Sequence, residues 1–69
     1  MPFDYPSAEE VAHYAAIFLE LADTPSYTVE QANQDAEFFL NLRNAVDGGF
    51  IEAVEATSPS GSIEIQLER

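Results

Sequence analysis

Thirteen carboxylates face two guanidinium groups, Arg43 and Arg69, in a chain of 69 residues that contains no lysine. The net charge of −11 limits what the chain can fold into, because like charges repel as it compacts. Most of the acids belong on the outside, and the apolar residues must supply the core. A domain this short buries only about 60% of its unfolded surface, so its stability margin is thin. No cysteine adds a disulfide or a thiolate metal site. Apolar residues make up 46% of the chain, ordinary for a globular protein and too many for a disordered acidic tail. One soluble domain over residues 1–69 is expected, as a monomer or weak homodimer. Solubility needs a net charge of only about 2 to 8 on a small domain, so the excess asks for a reason.

The periodicity of the chain predicts an α+β fold. Ser7 and Glu10 have the spacing of a capping box, and Val11, Tyr14, Ala15, Phe18, Leu21 and Ala22 follow at helical intervals. A first helix is expected over about 8–23, ending before Pro25. Thr28 and Gln31 repeat the capping pattern. Val29, Ala32, Ala36, Phe39, Leu42 and Val46 then fall on one face, with Phe38, Leu40 and Ala45 at its margins. That second helix is expected over about 29–47, closed by Gly48-Gly49. Ser62 to Glu68 alternates apolar with polar, the pattern of a half-buried strand over about 62–68. Its hairpin partner is placed over about 50–56, although adjacent Phe50-Ile51 and Ala53-Val54 break the alternation and leave a short helix as the competing reading. Since a lone hairpin is marginal in water, the two helices are expected to cover one face of it. Phe3 and Tyr5 are candidates for a third strand.

Most chemistry fails on inventory. With no cysteine and a single histidine, His13, the chain has no evident nucleophile and base. Paired carboxylates need a cleft that raises one pKa, and a two-helix, one-hairpin chain has little interior to spare. Glu10 and His13 match the Glu-x-x-His spacing of helical carboxylate metal sites, but a full site needs two such motifs, and Glu10 is already used by the capping box. Asp47-Gly48-Gly49 reads as a helix exit, and the acids are too dispersed for a calcium loop. No cofactor and no enzymatic activity are expected. Met1-Pro2-Phe3-Asp4 has neither the basic start nor the apolar run of a signal peptide. The stretch from Val11 to Leu21 is too short to span a bilayer, so a cytoplasmic location is expected.

The acidic surface itself is the remaining candidate. Glu9, Glu20 and Asp23 mark the polar strip of the first helix, and Glu30 and Glu37 that of the second. Glu64 and Glu68 share one face of the last strand, and Glu52 or Glu55 is expected to join them from its partner. Such a field repels nucleic acid and anionic membranes and attracts cationic protein surfaces. Arginine grips carboxylate and phosphate with the same bidentate geometry, so a rigid array of carboxylates can stand in for a nucleic-acid backbone. Adaptation to high salt is the plainer origin of such a surface, but the chain keeps five phenylalanines and three tyrosines and shows no thinning of its core. A small regulator that binds its partner through apolar or sheet-edge contacts is the other reading.

The combination of small size, no cysteine, strong acidity and this order of elements, ending in Ile63-Glu64-Ile65-Gln66-Leu67, resembles the type I anti-CRISPR proteins of phages and mobile elements, including those of the I-C class. The resemblance implies stoichiometric inhibition, with the acidic protein occupying the DNA-binding surface of a Cascade-type complex in a bacterial host. It rests on no shared motif, so it assigns no residue a role.

Overall fold

The structure, a computed structural model, describes residues 6–68; the suggested third strand through Phe3 and Tyr5 lies outside them. Helix α1 spans Ala8–Ala22. The Ser7 side chain accepts from the Glu10 backbone N–H at 3.1 Å, and the Glu10 carboxylate returns to the Ser7 N–H at 3.5 Å. This closes two of the four donors that a helix start leaves unpaired. The helix stops at Asp23, whose backbone is left-handed (φ 44°) and whose N–H reaches the Leu19 carbonyl; a short polar side chain tolerates that conformation better than most. Helix α2 spans Val29–Asp47 and opens with the same device: Thr28 accepts from the Gln31 N–H at 3.2 Å, and Gln31 accepts from the Thr28 N–H at 2.9 Å.

The exit of α2 moves the first strand. Gly48 N–H bonds Asn44 O, Gly49 N–H bonds Val46 O with Gly49 at φ 81°, and the N–H groups of Phe50 and Ile51 both turn back to Ala45 O. Residues 48–51 are thus consumed in closing the helix. Strand β1 begins only at Ala53 and runs to Thr57, against the expected 50–56, and no short helix forms there. The later start also resolves the broken alternation: Phe50 and Ile51 never enter the ladder, and Val54 and Ala56 turn inward between exposed neighbours. Strand β2 spans Glu64–Glu68 and pairs antiparallel with β1, Val54 opposite Leu67 and Ala56 opposite Ile65. Ile63 and Ile65 are buried, as the period of the tail predicts.

Helix α2 is the middle of the molecule. Its backbone approaches both α1 and the hairpin, whereas no Cα of α1 comes within 8 Å of either strand. Between the helices Phe39 stacks against Tyr14 (centroids 5.1 Å apart) and meets Phe18 edge-on at 5.8 Å, geometries that suit the ring quadrupoles. Ala32 and Ala36, with no exposed area, bring the backbones close. Contact from two sides makes the buried surface of α2 broader than one stripe. Leu40, placed at the margin of the apolar face, is 1% exposed, while Val29, placed on it, is 61% exposed.

The hairpin is tied to this frame by a carboxylate. Asp35 has no exposed surface. Its Oδ2 accepts the Tyr27 hydroxyl and the Ser60 hydroxyl, each at 2.6 Å, and its Oδ1 accepts the Ser60 backbone N–H at 3.1 Å. One side chain therefore joins the interhelical loop, α2 and the hairpin turn. The turn is internally braced: Gly61 N–H bonds Ser58 O around Pro59, and Ser58 is buried with its hydroxyl accepting from the Ile63 N–H at 3.2 Å. Burial by itself raises the Asp35 pKa. The hydrogen bonds from the Ser60 hydroxyl, Tyr27, the Ser60 N–H and Ser58 outweigh it, and the carboxyl titrates below its ordinary 3.8. Burial, the bond to Asp35 and its negative charge push the Tyr27 hydroxyl well above its ordinary 10.

Asp35→Ala removes the acceptor for three donors and is expected to cost about 2–4 kcal/mol, out of a total of about 3–10 kcal/mol for a chain this size; urea unfolding followed by circular dichroism measures it. The pH dependence has a definite sign. Because the folded state holds Asp35 below 3.8, its contribution is complete above that value and lost as pH falls below it, through the folded pKa. The stability gap between the natural chain and Asp35→Asn is therefore expected to stay constant from neutral pH down to about 5 and to shrink below about 4, read from denaturation midpoints of the two proteins at each pH.

Candidate functional site

Every described carboxylate other than Asp35 is exposed. The helices set them in rows. Glu30 and Glu37 are seven residues apart on α2, about 10.5 Å along the axis and nearly eclipsed around it. Glu9 and Glu20 share a stripe of α1 by the same geometry, while Asp23 stands just past the end of that stripe as the C-cap. Pairing in the hairpin sets Ala53 opposite Glu68, Glu55 opposite Gln66 and Thr57 opposite Glu64. Since paired residues share a face, Glu55, Glu64 and Glu68 project together into solvent. The Gln66 side-chain amide donates to Glu55 across the strands at 3.4 Å. Glu52 is exposed in the bend before β1 and takes no place in the ladder; the helix exit described above keeps it out of the strand expected over 50–56, and of the two alternatives Glu55 is the one that joins Glu64 and Glu68.

Among the described residues, the positive charge available to offset this array is already engaged. Arg43 is the only lysine or arginine among the described residues. Its Nη1 donates to the Tyr14 hydroxyl at 2.8 Å, its guanidinium lies 6.0 Å from the Tyr14 ring centroid, and its Nε faces Asp47 at 3.6 Å. Neither helix has a basic residue in its last turn. Acids stand at those ends instead: Glu20 and Asp23 close α1, and Asp47 closes α2. The negative pole of the helix dipole disfavours an anion there, and only Asp47 has an ion-pair partner among the described residues.

Among the described residues few groups are placed for acid–base or metal chemistry. A groove of about 560 Å³ runs between the start of α1 and α2, lined by Pro6, Ala8, Val11, Ala12, Asn33 and Glu37; among the described residues Glu37 is the one titratable side chain in that lining. Glu10 is occupied with Ser7, and His13 is exposed with its ring edge-on to Tyr14 at 5.3 Å. Among the described residues no three His, Asp or Glu side chains are grouped to hold a metal ion, and no helix is long and apolar enough to cross a membrane.

Sequence reading passes over Asp35, the one acid that matters most to the fold. A signal was present: Asp35 lies three residues after Ala32 and one before Ala36, inside the apolar face of α2. A charge there has to find donors or disrupt the core. What the spacing does not reveal is that Tyr27 and Ser60 supply them.

If the acids at the end of α1 are retained against the interest of folding, neutralising them should stabilise the protein. Glu20→Gln and Asp23→Asn are each expected to add about 0.5 kcal/mol at low ionic strength, with the gain fading as salt screens it; paired thermal melts at low and high salt provide the check. No family model matches the chain, and neither a curated protein nor a solved structure is significantly similar to it.

Proposed function

We propose that this protein is a stoichiometric inhibitor that acts by nucleic-acid mimicry, its carboxylates occupying the DNA-binding surface of a cationic protein. One observation carries the reading: a folded scaffold holds an almost unrelieved array of exposed carboxylates, including positions where helix dipoles oppose them, while the only described guanidinium is engaged with Tyr14 and Asp47. Acids in the first turns suit the helix dipoles, but the net excess and the acids at the end of α1 work against folding, so a partner that rewards them is the economical explanation. The helical rows and the row on β2 present charges about 10 Å or more apart along each row, open to the lysines and arginines that a DNA-binding surface displays. The size, acidity and element order that resemble type I anti-CRISPR proteins make a Cascade-type CRISPR–Cas complex in the bacterial cytoplasm the target class of choice.

A second reading has its own support. Leu21, Val29 and Phe50 are 68%, 61% and 55% exposed, and apolar side chains of that size on so small a surface suit a regulator that docks on a protein with no nucleic-acid site.

Salt separates the two. For mimicry, affinity for the captured target is expected to fall about a hundredfold between roughly 0.05 and 0.2 M salt, as for a handful of paired charges, and duplex DNA should compete for the site. Charge reversal at Glu30 and Glu37, or at Glu64 and Glu68, should abolish inhibition while circular dichroism stays unchanged. A complex indifferent to salt and lost on Leu21→Ser or Phe50→Ser would sink mimicry in favour of the second reading.

A further inference from the structure

The hairpin is a sheet of two strands, so each strand has one side without a neighbour among the described residues. Which backbone groups face outward follows from the ladder. The Ser58 N–H to Ile63 carbonyl bond, at 2.8 Å, marks a hydrogen-bonded position. Antiparallel pairs alternate between bonded and non-bonded, so with this register Ala56–Ile65 and Val54–Leu67 are bonded and the pairs of Glu64, Gln66 and Glu68 are not. The N–H and C=O groups of Glu64, Gln66 and Glu68 therefore point away from β1, along the free side of β2. No backbone bond from these residues to an element outside the hairpin occurs among the described residues. All three side chains are exposed, and β1 is the only strand paired with β2 among the described residues.

Protein edges of this kind are usually blunted by proline, lysine or a bulge. Here β2 has none of them and carries Glu64 and Glu68 four residues apart on one face. A second copy laid along this edge would bring carboxylate against carboxylate, with −11 on each chain. An extended segment bearing lysine or arginine at every fourth position would instead set a cation opposite each glutamate and use the row of open backbone groups. The β1 side offers Glu55 alone, and that side chain already accepts from Gln66.

We infer that the free edge of β2 is a docking site for an extended, cationic segment of a partner protein, which adds as a third strand along Glu64–Glu68. The inference rests on the reading that the receptor is cationic, and it commits that receptor to offering part of its charge on a strand or an extended loop. The charges select the partner, and the backbone sets its register.

The test uses the full chain and two synthetic peptides of equal composition in a valine–threonine background. One has lysines four residues apart, on one face when extended; the other has them three apart, on opposite faces. The first is expected to bind at least tenfold more tightly, with amide chemical-shift changes centred on Glu64, Gln66 and Glu68. Gln66→Pro removes the central outward N–H without touching a ladder bond and should weaken binding at least tenfold. N-methylation at Gln66, introduced by chemical ligation, removes the same donor should the proline variant fail to fold. Glu64→Gln with Glu68→Gln should weaken binding to a similar degree. Equal binding of the two peptides, or full binding by both Gln66 variants, overturns the inference; loss on neutralising the glutamates alone would leave mimicry standing without it. Self-association protecting the amides of residues 64–68 would overturn it in favour of a second copy.

Discussion

A single buried carboxylate connects the parts of this protein. The helix pair has its own aromatic contact around Phe39, but the hairpin is too small to stand alone. Asp35 gathers the Tyr27 hydroxyl and both the hydroxyl and N–H of Ser60 onto two oxygens, and so fixes the hairpin turn against α2. An ionised group in the core is tolerated only where its acceptor capacity is filled. Three short bonds from two separate segments meet that condition. They also add a directional constraint that the apolar contacts of Ile63 and Ile65 with the core do not provide, since hydrophobic burial sets proximity and not angle.

That constraint gives the surface its character. A carboxylate array is useful as a substitute for phosphates only if its spacing is held, because a mobile chain of equal charge would lose ordering entropy on every contact. The capping boxes at Ser7 and Thr28 set where each helix begins and hence where Glu9, Glu30 and Glu37 point. The Asp35 cluster orients Glu55, Glu64 and Glu68. The same acid chemistry thus appears in two opposite environments. Exposed and past the first helical turns, it accumulates charge that opposes folding; buried once, with donors converging on it, it opposes unfolding.

The second consequence is the edge of β2. Sheets in small proteins commonly close their edges against aggregation, whereas among the described residues only charge guards the open side of β2. Charge is a selective guard: it repels another copy and admits a cationic strand. The mimicry reading and the edge inference therefore share one electrostatic origin. They differ in whether the backbone takes part.

Much of this architecture was legible in the residues. Helix starts are written locally, in Ser7 with Glu10 and Thr28 with Gln31, because capping involves groups three residues apart. The two periods, 3.6 and 2, separate the helices from the tail for the same local reason. The start of β1 is not legible locally, because the helix exit draws on Phe50 and Ile51, whose bonds to Ala45 depend on how the chain turns rather than on their own propensity. The helical strips and the shared face of Glu64 and Glu68 are legible from the period, but pairing register alone decides that Glu55 joins that face and Glu52 does not. The role of Asp35 was beyond local reading. Its partners lie eight and 25 residues away, and contacts at that separation exist only once the chain has folded. Composition and short-range spacing determined the elements and the sign of the field; the tertiary structure decided which carboxylate leaves the surface and what it holds in place.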